Sequence, residues 1–409
     1  MKPNDSYGIW AGTAAEGLMA LYNKYNPFFN GSNDTGTAGW DSAVALEAMI
    51  DYMTLTGKDD DAWIIDRTYE QGKGSYPDHD FTNAYYDDNG WWAITWMKAA
   101  DYYEKKDKKL HDKYLQAAVT IFKKQIGGWD DLCGGGLYWQ QGSPPHYKAA
   151  IQNELFLVTC ARLYRHSQEE LYRTWAEKVW YWFQGTGMIG SNNLVQNGLS
   201  PQTGDYTKSC SVQTPGDMAT WTYNQGVILG GLTDLYQIST SKDHGLMFKA
   251  MDIANAAIDN LHYADSSILK EPCEDVTNDQ RDTSGNLSDP SHGSTACGGD
   301  GKCFKGIFMR YLAYFYHNLS DNIGKTQDEK NLINNNKTKY LNFMLRNAES
   351  VWANAKDPNS DWFSTRWVGP FDAAEVTDGT QMSALDTFNA VLLAQKPATT
   401  PMPEAVGSA

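Results

Sequence analysis

Apolar positions recur along most of the chain at the three-to-four-residue spacing of amphipathic helices, and the strict alternation of a half-buried strand is scarce. The pattern predicts helices near 12–25, 42–56, 61–71, 89–105, 108–125 and 149–165, and again near 168–184, 224–239, 243–262, 304–318, 336–354 and 380–394. They form a recurring phrase: an apolar helix rich in small residues, a short polar turn, then a more amphipathic helix. The stretch 91–103 (WWAITWMKAADYY) leads through a Lys-rich turn to 114–122, 226–236 (GVILGGLTDLY) leads to 246–258, and 306–316 (GIFMRYLAYFY) leads to 340–352. Such repetition predicts an all-α repeat in which each hairpin buries a face on its neighbours. An open solenoid and a closed toroid both satisfy it. Six hairpins between residues 12 and 394 fit closure into an (α/α)6 barrel, with the apolar helices starting near 42, 89, 150, 224, 304 and 380 as a buried inner ring. Parallel inner helices bring six N-termini to one face. The long connections 127–148, 185–222 and 263–303 lead into them, and loops of such length in a compact domain are commonly functional. This reading gives one domain over 1–395 and a Pro/Thr/Ala-rich flexible tail over 396–409.

Composition narrows the ligand. The 409 residues include 15 Trp, 24 Tyr and 14 Phe, which excludes disorder as the main state. Lys and Arg number 34 against 50 Asp and Glu, a net charge of −16, which argues against a nucleic-acid partner because that needs a positive footprint. No apolar run is long enough to span a membrane. Acidity combined with surplus aromatic faces points to an uncharged ligand that stacks. The six cysteines form no CxxC pair and His is sparse near them, so no zinc is expected. An even count fits up to three disulfides, with Cys297 and Cys303 placed to close a short Gly-rich loop; buried free thiols are the other reading. Six N-x-S/T sequons, at Asn4, Asn30, Asn33, Asn286, Asn318 and Asn336, fall mostly in segments that read as polar loops. Together these predict a secreted, glycosylated protein of the cell exterior or cell wall. Lys2-Pro3-Asn4-Asp5 directly after Met1 reads as a mature start whose targeting segment has been removed. No cofactor or metal is expected, and a monomer is.

Each predicted inner helix is preceded by polar and aromatic residues: Tyr85-Tyr86-Asp87-Asp88-Asn89-Gly90-Trp91-Trp92; Trp129-Asp130-Asp131, Gly134-Gly135-Gly136, Tyr138-Trp139, Tyr147-Lys148 and Gln152-Asn153-Glu154; Trp221-Thr222-Tyr223-Asn224-Gln225; Asp300, Lys302 and Lys305; Trp362, Arg366, Trp367 and Gln381. The mixture suits a sugar, whose apolar faces stack on rings while amides and carboxylates read its hydroxyls. Asp87-Asp88 is the sharpest feature. A glycosidase needs one carboxylate as nucleophile or base and one protonated carboxyl as acid, and retaining enzymes keep the two about 5–5.5 Å apart. Adjacent residues reach that separation, since successive Cα atoms lie about 3.8 Å apart. Two close carboxylates also resist double ionisation, which splits their pKa values. The competing reading is structural: Asp-Asp-Asn is a good helix N-terminus, favoured by the dipole. Asp130-Asp131 reads as a cap or turn, Gly134-Gly135-Gly136 lacks the Lys-Ser/Thr of a phosphate loop, and Trp91, Trp92 and Trp96 read more readily as core.

Taken in order, Tyr86-Asp87-Asp88-Asn89 with Trp91-Trp92, Trp129-Asp130, Cys133-Gly134-Gly135-Gly136, Asn153-Glu154, Tyr223-Asn224-Gln225-Gly226 and Phe304-Lys305-Gly306 resemble glycoside hydrolase family 76, the endo-α-1,6-mannanases, over roughly residues 40–320. The resemblance implies an (α/α)6 barrel and retaining hydrolysis of α-1,6-mannan or mannooligosaccharides, with Asp87 as nucleophile and Asp88 as general acid/base. It also implies sugar subsites lined by Tyr86, Asn89, Trp92, Asp130, Gly135, Trp139, Gln152, Asn153, Asn197, Tyr223, Asn224, Gln225, Asp300, Lys305 and Trp367. Two departures stand out. Asn197-Gly198-Leu199 carries Asn where many relatives have Asp, and the second helix starts Gly39-Trp40-Asp41-Ser42 rather than with the Trp-rich acidic start of the transglycosylase-like fungal members. The alternatives are a cell-wall transglycosylase acting on mannose-containing anchor glycans and a mannan-binding protein without turnover.

Overall fold

The computed structural model describes residues 3–23, 27–29, 39–142, 147–201, 210–212, 220–264, 266–275, 297 and 300–397. Twelve α-helices run through them: α1 (Pro3–Ala20), α2 (Trp40–Thr56), α3 (Trp63–Arg67), α4 (Tyr86–Tyr103), α5 (Lys108–Gln125), α6 (Ala150–Ser167), α7 (Glu170–Gly185), α8 (Thr222–Ile238), α9 (His244–Asn260), α10 (Phe304–Asn318), α11 (Gln327–Ser350) and α12 (Asp378–Ala394). A π turn (Thr68–Gly72) extends α3, which fills the span predicted over 61–71. The start of α11 lies nine residues before the predicted one, because its first turns are polar on every side. A capping box between Thr326 and Glu329 starts it instead.

The even-numbered helices form the inner ring, each packed on the next in the order α2, α4, α6, α8, α10, α12 and back to α2. Outside them α5 packs on α4, α7 on α6, α9 on α8, and α11 on α10 and α12. The chain's own start supplies the last outer helix, since α1 packs on α12 and α2. The result is the (α/α)6 barrel. Small residues set its seams: a Cβ on Gly306 would lie 2.5 Å from the Cα of Ser383, and one on Gly226 2.7 Å from that of Phe308.

Apolar faces alone would let such helices slide along one another. A polar contact crosses every seam. Lys98 Nζ of α4 reaches Asp51 of α2 at 2.8 Å, and His166 Nε2 of α6 lies 3.1 Å from Asp101 of α4. Arg162 Nε of α6 donates to Asp234 of α8 at 2.8 Å, and Tyr314 of α10 donates to the same carboxylate at 2.5 Å. Arg310 of α10 makes paired bonds to Asp386 of α12 at 3.0 and 2.9 Å, and also donates to Glu47 and to the Val44 carbonyl of α2. Asn389 of α12 donates to the Ala48 carbonyl of α2 at 3.0 Å.

The three short antiparallel strands β1 (Lys148–Ala149), β2 (Gly198–Pro201) and β3 (Cys210–Val212) lie among the long connections at the mouth. Disulfides join Cys133 to Cys210 and Cys273 to Cys297, while Cys160 and Cys303 are buried free thiols. The expected Cys297–Cys303 pairing is therefore replaced. Cys297 crosses back to the 3-10 turn Pro272–Asp275, and the Cys303 thiol faces the Asp300 carbonyl. Two sequons also sit otherwise than expected: Asn318 ends α10 with both amide atoms hydrogen-bonded, and Asn336 is buried within α11. Asn30, Asn33, Asn286 and the tail from 398 lie outside the described residues. Among the described residues no helix is long and apolar enough to cross a membrane.

Arg310 is buried and ties together three inner helices. Changing Arg310→Met should lower unfolding stability by about 3–5 kcal/mol, because Asp386 loses its cation and Glu47 keeps only Lys98 at 4.0 Å. Urea unfolding reads this directly; a loss under about 1 kcal/mol would show that the contact does not hold the seam.

Candidate active site

The mouth is built by a device that recurs around the ring. Connections into the inner helices fold back on themselves through isolated bridges, Trp129 with Leu137, Ile189 with Val195 and Lys356 with Phe363. A polar side chain in the first turn of the next inner helix then takes the backbone at the fold. Asn153 Oδ1 accepts from Leu137 N–H at 2.8 Å while Gln152 donates to the Leu137 carbonyl. Gln225 accepts from Val195 N–H and donates to its carbonyl at 2.7 and 2.8 Å. Gln381 donates to the Phe363 carbonyl, and Asn89 makes both bonds to the Asn83 backbone. Asn89, Gln152, Asn153 and Gln225, expected to read sugar hydroxyls, are thus buried and pin loops.

Other expected residues stand one layer behind. Trp92 is fully buried and stacks on Trp96. Tyr86 packs under Gly128, where a Cβ would come 2.5 Å from its ring. Lys305 is fully buried, ion-paired to Glu274 at 2.6 Å and seated over the ring of buried Trp367. Asp130 holds the buried Lys148 ammonium at 2.5 Å, and Lys148 also donates to the carbonyls of Leu132, Gly135 and Gly136. That cation gathers the Gly134-Gly135-Gly136 turn, whose left-handed Gly134 and Gly136 (φ 75° and 90°) suit glycine. Gly135 lies against Trp129 and Trp182, which leaves no room for a side chain.

What faces the opening is a ring of carboxylates among aromatic rings. Asp87 and Asp88 occupy the first turn of α4, where the positive helix end favours anions. The loop gathered by Lys148 delivers Trp139, whose Nε1–H donates to Asp87 Oδ2 at 2.8 Å. The Tyr86 N–H donates to the Trp139 carbonyl and Trp139 N–H to the Tyr147 carbonyl, which fixes that delivery. Asp88 accepts from Asn83 Nδ2 at 2.6 Å. Burial raises Asp87 to about 6, against the Trp139 N–H and the backbone N–H groups of the helix start, which favour the anion; the nearby Asp300 adds to the rise.

Two further acids, not among the expected site residues, complete the ring: Asp41 in the first turn of α2 and Asp378 at the start of α12. Burial and the charges of Asp378, Asp300 and Asp88 push Asp41 well up, while Asp378, buried but accepting from Gly379 N–H and from Asp41, rises to about 6. Their only sequence signal was position: Asp41 stands at the start of its inner helix as Asp87 does in α4. The aromatic floor joins Tyr223 stacked on Phe304 at 3.9 Å, with Trp40 between Phe304 and Trp91. Asn224 donates to Asn197 Oδ1 at 3.3 Å. Of the expected residues, Asp87, Asp88, Trp139, Asn197, Tyr223, Asn224 and Asp300 therefore come together at this mouth. Among the described residues no His, Cys, Asp or Glu group is arranged to hold a metal ion.

Comparison with known proteins agrees with this architecture. The model of glycosyl hydrolase family 76 matches residues 10–402. The mannan endo-1,6-alpha-mannosidase DCW1 of Saccharomyces cerevisiae is 27% identical over 399 residues, covering 94% of this chain and 78% of that protein. DCW1 of Candida albicans is 26% identical, covering 88% and 74%. Among solved structures, an α-1,6-mannanase of Salegentibacter sp. HEL1_6 shares the fold with a TM-score of 0.75 at 22% identity, over 95% of this chain and 100% of that one. Dfg5 of Chaetomium thermophilum, in complex with glucosamine, shares it with a TM-score of 0.75 at 21% identity, over 98% and 94%.

The hydrogen bond from Trp139 opposes the burial of Asp87. Trp139→Phe keeps the ring and removes the donor, so the Asp87 pKa should move upward from about 6. Carboxyl-detected NMR titration measures it, and an unchanged or lower value would contradict the assigned contact.

Proposed function

The chain belongs to glycosyl hydrolase family 76, and from that premise we propose that it is a retaining endo-α-1,6-mannosidase acting on mannan backbones through one (α/α)6 unit. The observation that carries the reading is the pair of adjacent acids in the first turn of α4, Asp87 held by Trp139 and Asp88 by Asn83. Asp87 receives N–H donors that favour its anion, from Trp139 and from the start of α4. That suits the nucleophile, which must be ionised to attack the anomeric carbon. Asp88, on the next residue and held by Asn83, is placed to protonate the departing glycosidic oxygen and then to take a proton from water. Tyr223, Phe304 and Trp40 supply flat apolar surface for sugar rings, and Asn197, Asn224 and Asp300 supply groups that read hydroxyls.

The names of the yeast relatives agree in substrate and linkage. Two disulfides fit an oxidising compartment, in keeping with secretion. The enzyme would work as a monomer, without cofactor or metal.

Asp87→Asn and Asp88→Asn should each cut release of mannooligosaccharides from linear α-1,6-mannan by at least about 10³-fold. Near-wild-type turnover in either variant would remove that residue from its role. Products should be mainly free reducing ends even with added sugar acceptor; acceptor-linked products would replace hydrolysis by transfer, and binding without release would leave a mannan-binding protein.

A further inference from the structure

Several buried polar atoms have no partner among the described residues, and three of them belong to residues of the mouth: Asp87 Oδ1, the Tyr147 hydroxyl, which senses the Asp87 charge, and Asn224 Oδ1. They come from separate parts of the fold, the start of α4, the residue before β1 and the start of α8. An unmade hydrogen bond on a buried polar group costs about 1–3 kcal/mol. Three in one region therefore mark a place shaped for the polar atoms of a ligand.

Tyr147 is held there on several sides. Its carbonyl accepts the Trp139 N–H at 2.9 Å, so the residue that pairs with Asp87 Oδ2 and the tyrosine share one backbone register. Its ring stands edge-on to Trp139 at 6.5 Å. Its hydroxyl lies over Gly198, where a Cβ would come within 2.6 Å of it, so only glycine at 198 leaves room for the group. Burial and the Asp87 charge both raise the Tyr147 pKa, which keeps the proton on its oxygen at neutral pH.

We propose that Tyr147 is a catalytic residue whose O–H donates to an oxygen of the mannosyl unit lodged beside Asp87 Oδ1, holding the anomeric carbon over that oxygen. The inference rests on the hydrolytic reading given above. With Oδ2 taken by Trp139, Oδ1 forms the new bond to the anomeric carbon as the glycosidic carbon–oxygen bond breaks. The leaving oxygen takes its proton from Asp88, and Tyr147 keeps its own throughout. Asn224 Oδ1 accepts from a hydroxyl of the same sugar.

Tyr147→Phe removes only an oxygen that has no partner among the described residues. Melting temperature should stay at or above the wild-type value, while kcat on linear α-1,6-mannan falls by about 10²-fold with a smaller change in KM. The acid limb of the rate profile should stay in place, because Tyr147 does not donate to the resting Asp87; Trp139→Phe should move it upward. A kcat within about twofold of wild type would overturn the proposal. So would an activity loss accompanied by a lowered melting temperature or a shifted acid limb, since either would make Tyr147 a structural support. A wild-type chain inert toward mannan would sink the hydrolytic reading and this inference together; an active wild type with an unaffected Tyr147→Phe sinks this inference alone.

Discussion

The polar contacts crossing each seam of the inner ring fix what everything else depends on, the axial register of six apolar helices. Dispersion and burial bring the helices together with little preference for height, because small side chains present nearly smooth faces. The Arg310 contacts to α12 and α2, the Asp234 carboxylate shared by Arg162 and Tyr314, and the Lys98, His166 and Asn389 contacts each admit one height. Buried ion pairs are weak sources of stability but effective selectors among packings. Arg310 has the widest reach, because it joins the first inner helix to the last two where the ring must close.

With the register fixed, the inner helices start at a common level, and that level is the floor of the site. The positive ends of α2, α4 and α12 meet there and offset the cost of gathering Asp41, Asp87, Asp88 and Asp378. The first turns also supply the polar side chains that pin the returning loops, so the barrel fixes the loops and the loops fix the chemistry. Lys148 shows the chain of dependence: its buried ammonium collects a turn, the turn sets Trp139, and Trp139 sets Asp87.

Much of this was legible in the sequence because helix periodicity and the apolar inner phrase are local properties. All twelve helices follow from them, with errors at the ends where α1 and α11 begin in polar stretches. Asp87-Asp88 was legible because the two acids are neighbours in the chain. Asp41 and Asp378 were not, since they meet only through closure of the ring. The partner of Cys297 was likewise set by a long-range return. The amides of Asn89, Gln152, Asn153 and Gln225 were misread because pinning a backbone and reading a sugar call for the same donor and acceptor groups. Only burial and partners separate the two uses.

The central claim is that Asp87 carries the sugar between the two steps. A slow fluorinated α-mannoside that accumulates the glycosyl-enzyme, followed by digestion and peptide mass spectrometry, tests it most directly. The account predicts one added fluoromannosyl unit on Asp87 and none on Asp88, Asp41, Asp300 or Asp378. Label on Asp88, or turnover of the inactivator with no covalent adduct, would contradict it.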